Sequence, residues 1–162
     1  MSYSEEEYLY ISGIYQYLYC RRLWALIHLE KQIYEGLFKA VNNRQLSKWV
    51  KDRSGDSDII YEMNLNLSSE NLGITGICEV VRFYQDTEGV PLYGRKGMWK
   101  VCPIMVKNQI SEIDWRDELQ LCAQAMCLEE MLCCPILRGA LYYGETRRRE
   151  TVDFTPELRA QV

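Results

Sequence analysis

A small set of polar positions in this chain has the types and order of a phosphodiester-cutting site, and one position breaks the set. Glu79 falls in the apolar run Gly76-Ile77-Cys78-Glu79-Val80-Val81. Lys107 ends the run Pro103-Ile104-Met105-Val106-Lys107, and Gln120 and Gln124 follow in Gln120-Leu121-Cys122-Ala123-Gln124. Side chains two apart on a strand point the same way, so residue 105 and Lys107 share a face. Glu79, on a neighbouring strand, can face the same cleft. Gln120 and Gln124 are one helical turn apart and can line its other wall. With an acid at position 105, two carboxylates would hold Mg²⁺ or Mn²⁺. The lysine would help activate water, and the metal would stabilise the developing charge. Position 105 is Met, and a thioether is a poor ligand for a hard cation that takes oxygen donors.

The elements that must position these residues can be read from the pattern. Residues 9–34 are aromatic and apolar, with Ser12 as a candidate helix cap. Residues 35–53 keep helical spacing through Leu46, Trp49 and Val50, and residues 52–58 have loop composition. The run from Ile59 to Leu67 alternates as a one-sided strand, and Ser68–Asn71 is a turn. Ile74–Tyr84 and Trp99–Lys107 read as strands, with a loop from Asp86 to Gly97 between them. Leu119–Leu132 reads as a buried helix that Pro135 stops. A hairpin, Leu137–Gly144 and Glu150–Phe154, turns around Glu145-Thr146-Arg147-Arg148-Arg149. This order of helices and strands predicts a mixed α/β sheet.

The bulk numbers set limits. At 162 residues the chain is expected to form one domain, and at 48% hydrophobic and 26% charged it has the composition of a soluble globular protein. No apolar run is long enough to span a membrane, and the reading is cytoplasmic. A net charge of -4 argues against a bulk nucleic-acid-binding surface but leaves room for a local groove. The seven cysteines are odd in number and include no Cys-x-x-Cys pair, so neither a disulfide framework nor a zinc ribbon is expected. Twelve tyrosines are many for this length, and Tyr8, Tyr10, Tyr15, Tyr17 and Tyr19 crowd the first twenty residues, which fits amphipathic packing or an interface or base-stacking surface.

Several segments together carry a likeness to a known family. Tyr17-Leu18-Tyr19-Cys20 with Arg22 and Ala25-Leu26-Ile27-His28-Leu29-Glu30 forms an opening signature. Leu72-Gly73-Ile74-Thr75-Gly76 leads to Glu79-Val80-Val81, and Gln120-Leu121-Cys122-Ala123-Gln124-Ala125 leads to Leu128-Glu129-Glu130-Met131-Leu132. The late hairpin Gly139-Ala140-Leu141-Tyr142-Tyr143-Gly144 precedes Arg147-Arg148-Arg149. In this order the segments resemble the RecB-like exonuclease family of CRISPR adaptation, within the PD-(D/E)XK nuclease superfamily. The resemblance implies an α/β, restriction-endonuclease-like core: a mixed central sheet flanked by helices, spanning residues 1–162.

The departures from that family are as informative. Its metal-binding His would fall near Leu46, and the single His of this chain, His28, lies in the opening signature. Its first acid corresponds to Glu79 and its second to Met105, while Lys107 and Gln120 match. Its iron–sulfur cluster uses an N-terminal Cys, which Cys20 matches, and three C-terminal ones. No Cys follows Cys134, and such clusters need four thiolates. The expectation is therefore no cluster, with Cys20 a relic or core residue, and a domain that lacks the C-terminal cysteine segment. Glu79, Lys107 and Gln120 are read as vestigial, with Glu79 at most a weak metal ligand and Mg²⁺ or Mn²⁺ relevant only to residual activity. Binding is assigned to Tyr19, Arg21, Arg22, Gln124, Arg147, Arg148 and Arg149. Each also fits a structural role, such as a salt bridge from Arg21 or Arg22 to a nearby acid such as Glu6 or Glu7, or a solvated turn at Arg147–Arg149.

The resulting expectation is a non-catalytic homologue of the adaptation nuclease. It would bind a CRISPR-associated protein (the adaptation integrase or an effector component), DNA ends, or both. It would serve as a decoy or inhibitor, in the manner of an anti-CRISPR protein, or as a structural subunit. The alternative is a weakly active Mn²⁺- or Mg²⁺-dependent DNA exonuclease that trims prespacers. A third class is a DNA-binding module with no CRISPR role.

Overall fold

The computed structural model describes residues 3–30, 58–107, 114–144 and 146–162. The helical spacing expected at Leu46, Trp49 and Val50, and the position that would correspond to the metal-binding His, lie outside these residues. The described elements run in the order β1 (Leu9–Tyr10), α1 (Ser12–Tyr19), α2 (Arg21–His28), β2 (Ile59–Ser69), β3 (Ile74–Pro91), β4 (Met98–Lys107), α3 (Trp115–Leu132), β5 (Arg138–Tyr143), β6 (Arg148–Asp153) and α4 (Pro156–Arg159). A one-turn 3-10 helix, Glu5–Glu7, precedes β1.

The described strands form one mixed six-stranded sheet, with helices packed against it. The order is β1-β3-β4-β5-β6, and β2 pairs with the other side of β3. β1–β3 and β4–β5 are parallel, and the remaining pairs are antiparallel. The parallel β4–β5 pair requires a crossover, which α3 supplies. Gly73, at φ +64°, makes the turn between β2 and β3 in the left-handed region.

The main core lies between the sheet and α3. It joins Val81, Phe83, Trp99, Val101 and Met105 to Leu121, Leu128, Leu141 and Phe154. Fully burying a side chain such as Leu121 or Leu128 contributes roughly 1.5–3 kcal/mol. At Gly139 a Cβ would stand 2.7 Å from Phe154 and 3.0 Å from Leu121, so only glycine admits this close packing. A second cluster, Val80, Cys102, Ile104, Val106, Ala140 and Tyr142, lies on the other sheet face, as strand alternation requires.

Four boundaries differ from the sequence reading. Ser12 is the first residue of α1, whose cap position is Ile11, so it does not cap that helix. β3 continues to Pro91, through much of the expected loop, because Val90 and Pro91 pair with Trp99 and Met98 beyond an irregularity at Gln85/Val90. α3 begins at Trp115, because Asp114 caps it by accepting from the Arg116 N–H. β6 begins at Arg148, before Glu150. At the other end of α3, Cys133 takes the left-handed conformation (φ 51°) ahead of Pro135. Among the described residues, no helix is long and apolar enough to cross a membrane.

Candidate functional site

One edge of β3 changes partner along its length, and Glu79 sits at the change. Ile74 and Thr75 pair with β1, whereas the β4 pairing begins at Val80. β2 occupies the opposite edge throughout. Residues 76–79 therefore border a gap between β1 and β4. Two side chains fill its polar needs. The Val106 N–H donates to Glu79 Oε2 at 2.8 Å. Gln124 Nε2 donates to the Ile77 carbonyl at 3.3 Å, and its Oε1 is buried with no partner among the described residues. Burial pushes the Glu79 carboxyl up, against the pull of the Val106 N–H and the Lys107 charge.

Lys107 ends β4 beside this gap. Its ammonium lies 2.5 Å from Asp117 Oδ1 and 5.2 Å from the centre of the Tyr15 ring. Asp117 stands in the first turn of α3 and its residue is only 2% exposed. Burial first of all pushes its carboxyl up from the usual carboxylate range, and the hydrogen bond from Lys107 opposes that rise. A carboxylate at a helix N-terminus also meets the positive end of the helix dipole.

The cluster continues outward through α1. Arg116 Nε donates to both Asp114 oxygens, at 2.9 and 3.0 Å. The guanidinium lies 5.2 Å from the Tyr15 ring and 5.4 Å from the Tyr19 ring. Those rings are nearly parallel, 6.4 Å apart at 9°. The Tyr15 hydroxyl reaches Asp114 Oδ2 at 3.4 Å, and Arg116 holds the Asp114 carboxyl below the usual range. Tyr143, paired with Lys107 in the β4–β5 register, has a buried hydroxyl with no partner among the described residues.

Of the residues singled out from the sequence, Glu79, Lys107 and Gln124 come together here. Gln120 is half-buried on α3, three residues beyond Asp117. Tyr19 joins the edge of the cluster through Arg116. Arg21 lies 5.2 Å over the Tyr17 ring instead. Arg22 forms an exposed 2.6 Å ion pair with Glu30, a different acid from the early ones the sequence suggested. Arg147 occupies a left-handed turn position (φ 55°), Arg148 pairs with Glu150, and Arg149 points to Cys102 on the other sheet face. The three arginines therefore do not act as one patch. Cys20 is exposed rather than part of the core. It caps α2 by accepting from the Leu23 N–H at 3.5 Å.

Sequence reasoning missed Tyr15, Asp114, Arg116, Asp117 and Tyr143. The run Asp114-Trp115-Arg116-Asp117 before an apolar helix carried a helix-start signal. Nothing in that signal pointed to Lys107.

The donor set does not fit a hard divalent cation. Met105 is 5% exposed and packed into the main core. The Glu79 carboxylate bonds a strand amide, and the Asp117 carboxylate holds an ammonium. The ammonium stands where positive charge is needed, so the protein neutralises its own carboxylates. An iron–sulfur cluster fits no better on the residues described. Cys20 is spent on a helix cap, while Cys78, Cys102, Cys122 and Cys127 are buried, and burial pushes Cys78 and Cys127 up to about 12.

No protein-family model matches the sequence, and a search of curated proteins found none similar. Among solved structures, the crystal structure of SSO0001 is similar at a TM-score of 0.44 and 11% identity, over 98% of this chain and 73% of that one. That likeness is too weak to carry an argument.

Proposed function

We propose that this chain is a non-catalytic protein on a RecB-like nuclease core, acting by binding. Its partners are a CRISPR-associated protein, DNA ends, or both. The observation that supports this reading is the internal pairing of the cleft. Met105 fills the place of the second acid with apolar volume, Glu79 is bound to Val106, and Lys107 is bound to Asp117. A cleft whose charged groups are bound to one another and to the backbone keeps its shape without a metal. The role is that of a decoy or inhibitor of CRISPR immunity or of a structural subunit, in the cytoplasm.

The test is a Mn²⁺-dependent cleavage assay on single-stranded and splayed DNA. The expected result is no cutting. Cleavage that Glu79→Ala abolishes would overturn the proposal. A pull-down from cells carrying a CRISPR system should recover an adaptation or effector protein. Phage plating then separates inhibitor from helper, since only an inhibitor raises plating.

A second reading, a weakly active exonuclease, draws on one observation. Asp117 brings a carboxylate to Lys107 from the helix, opposite the strand position that Met105 occupies. Under this reading Asp117→Asn, like Glu79→Ala, would abolish cutting in the same assay.

A further inference from the structure

The hairpin that joins β3 to β4 ends in a tip of unusual composition. Pro91 pairs with Met98, which closes the loop Leu92-Tyr93-Gly94-Arg95-Lys96-Gly97. Both legs of the loop are held. Leu92 packs against the main core, and buried Trp99 donates its indole N–H to the Lys96 carbonyl at 3.1 Å. Between them the Arg95 N–H donates to the Leu92 carbonyl at 3.1 Å. This is a turn with Gly94 at its third position, in the left-handed region (φ 72°). Tyr93, at its second position, is fully exposed.

The tip carries charge that nothing answers. Arg95 and Lys96 are exposed, and among the described residues neither has a carboxylate partner. The acids of the same hairpin, Asp86 and Glu88, both meet Lys100, at 3.2 and 3.0 Å. An aromatic ring left in water contributes no burial to the fold. Two adjacent free cations beside it, in a chain of net charge -4, give this corner a local field opposite to that of the whole protein. The tip thus differs from the Lys107 cluster, where each of the closest charges has its counter-charge.

We propose that this tip binds a single nucleic-acid strand, with Tyr93 stacking on a base while Arg95 and Lys96 hold the adjoining phosphates. This deepens the DNA side of the function proposed above and rests on it. Every base has a π face, so stacking of this kind tolerates any sequence. The guanidinium of Arg95 presents a planar fork that matches phosphate oxygens, and the Lys96 ammonium adds a point charge. A duplex keeps its bases stacked on one another and leaves the Tyr93 ring without a partner. An acidic peptide answers the cations and supplies no flat base for the ring. Lys107 closes the far end of β4, roughly 30 Å from the tip at about 3.3 Å per residue. The contact therefore lies apart from the cleft and does not depend on whether the cleft cuts DNA.

The test is fluorescence anisotropy of a labelled oligothymidylate with the full chain at low salt. All the replaced side chains are exposed, and circular dichroism checks that each variant folds. Tyr93→Ala should bind about tenfold more weakly, and Tyr93→Trp should bind at least as well as wild type. The double variant Arg95→Gln/Lys96→Gln should lower the salt slope by about 1.4, the share of two phosphate contacts on a single strand. Tyr10→Ala, at an exposed tyrosine on β1, should change nothing. Absence of binding by wild type would overturn this inference together with the DNA side of the proposed function. Wild-type binding that Tyr93→Ala and the double variant leave unchanged would overturn the tip alone. A weaker double variant beside an unaffected Tyr93→Ala would reject the stacked base. Displacement of the oligomer by polyglutamate at equal charge would assign the tip to an acidic protein segment and reject the nucleic acid.

Discussion

The Lys107 cleft and the opposite sheet face, where Arg82 stands beside Cys102 and Arg149 reaches the Cys102 Sγ, are built on the same strands, β3 and β4, and treat charge in opposite ways. In the cleft, Lys107 meets Asp117, Arg116 meets Asp114, and Glu79 accepts a strand N–H. On the opposite face, Arg149 reaches a thiol that burial keeps neutral, and Arg82 stands beside it in the β3–β4 register. Charges that satisfy one another stabilise a shape and leave little for a ligand. A buried donor left unmatched, like the Arg82 Nε, raises the cost of the folded protein instead. The groups that looked catalytic in sequence are thus paired within the fold, while the arginines of the late hairpin part ways.

The largest effect should come from breaking the cleft. Lys107→Ala would leave Asp117 buried without its counter-charge, a loss of about 3 kcal/mol in chemical denaturation. Replacing both, as Lys107→Met/Asp117→Leu, should recover most of that stability, because no buried charge is then stranded. A double variant as unstable as Lys107→Ala would mean that the pair is not what holds the cleft.

Next in size is Met105→Glu. A carboxylate in place of a buried thioether should cost roughly 2 kcal/mol at neutral pH. If the cleft derives from a metal site, Mn²⁺ should raise the melting temperature of Met105→Glu/Asp117→Asn and leave wild type unmoved, since a ligand stabilises only the fold that binds it. No metal response in that variant would show that residues 79 and 105 do not share a face.

A smaller effect follows from pH. Burial raises the Glu79 carboxyl above its ordinary 4.5 in the folded protein. The folded state then holds the proton more tightly than the unfolded one. Stability from this group is present below pH 4.5 and is lost as pH rises through the folded value. Relative to Glu79→Gln, wild type should therefore lose stability as pH climbs from 4.5, and parallel pH profiles would contradict the burial of this carboxylate. The smallest change is expected for Cys20→Ala, about 0.5 kcal/mol from a weakened helix cap, with no change in iron content. Loss of bound iron in that variant would reinstate the cluster.

The sequence by itself determined the strands around Glu79 and Met105–Lys107, the helix behind them and the late hairpin. Apolar periodicity is a local property, and these segments bury a strong pattern. It also determined that no acid stands at position 105. Only the tertiary structure decided where the charges are spent. Lys107 and Asp117 are ten residues apart, and nothing local says that the first turn of α3 comes to rest against the end of β4. Arg149 sits in a run of three arginines, yet strand alternation and the β5–β6 register send it alone to Cys102. The extension of β3 to Pro91 was hidden for the same reason: a polar, glycine-containing stretch becomes a strand when Trp99 and Met98 arrive to pair with it. Partnership between distant groups depends on chain packing, which residue types and spacing along one dimension do not encode directly.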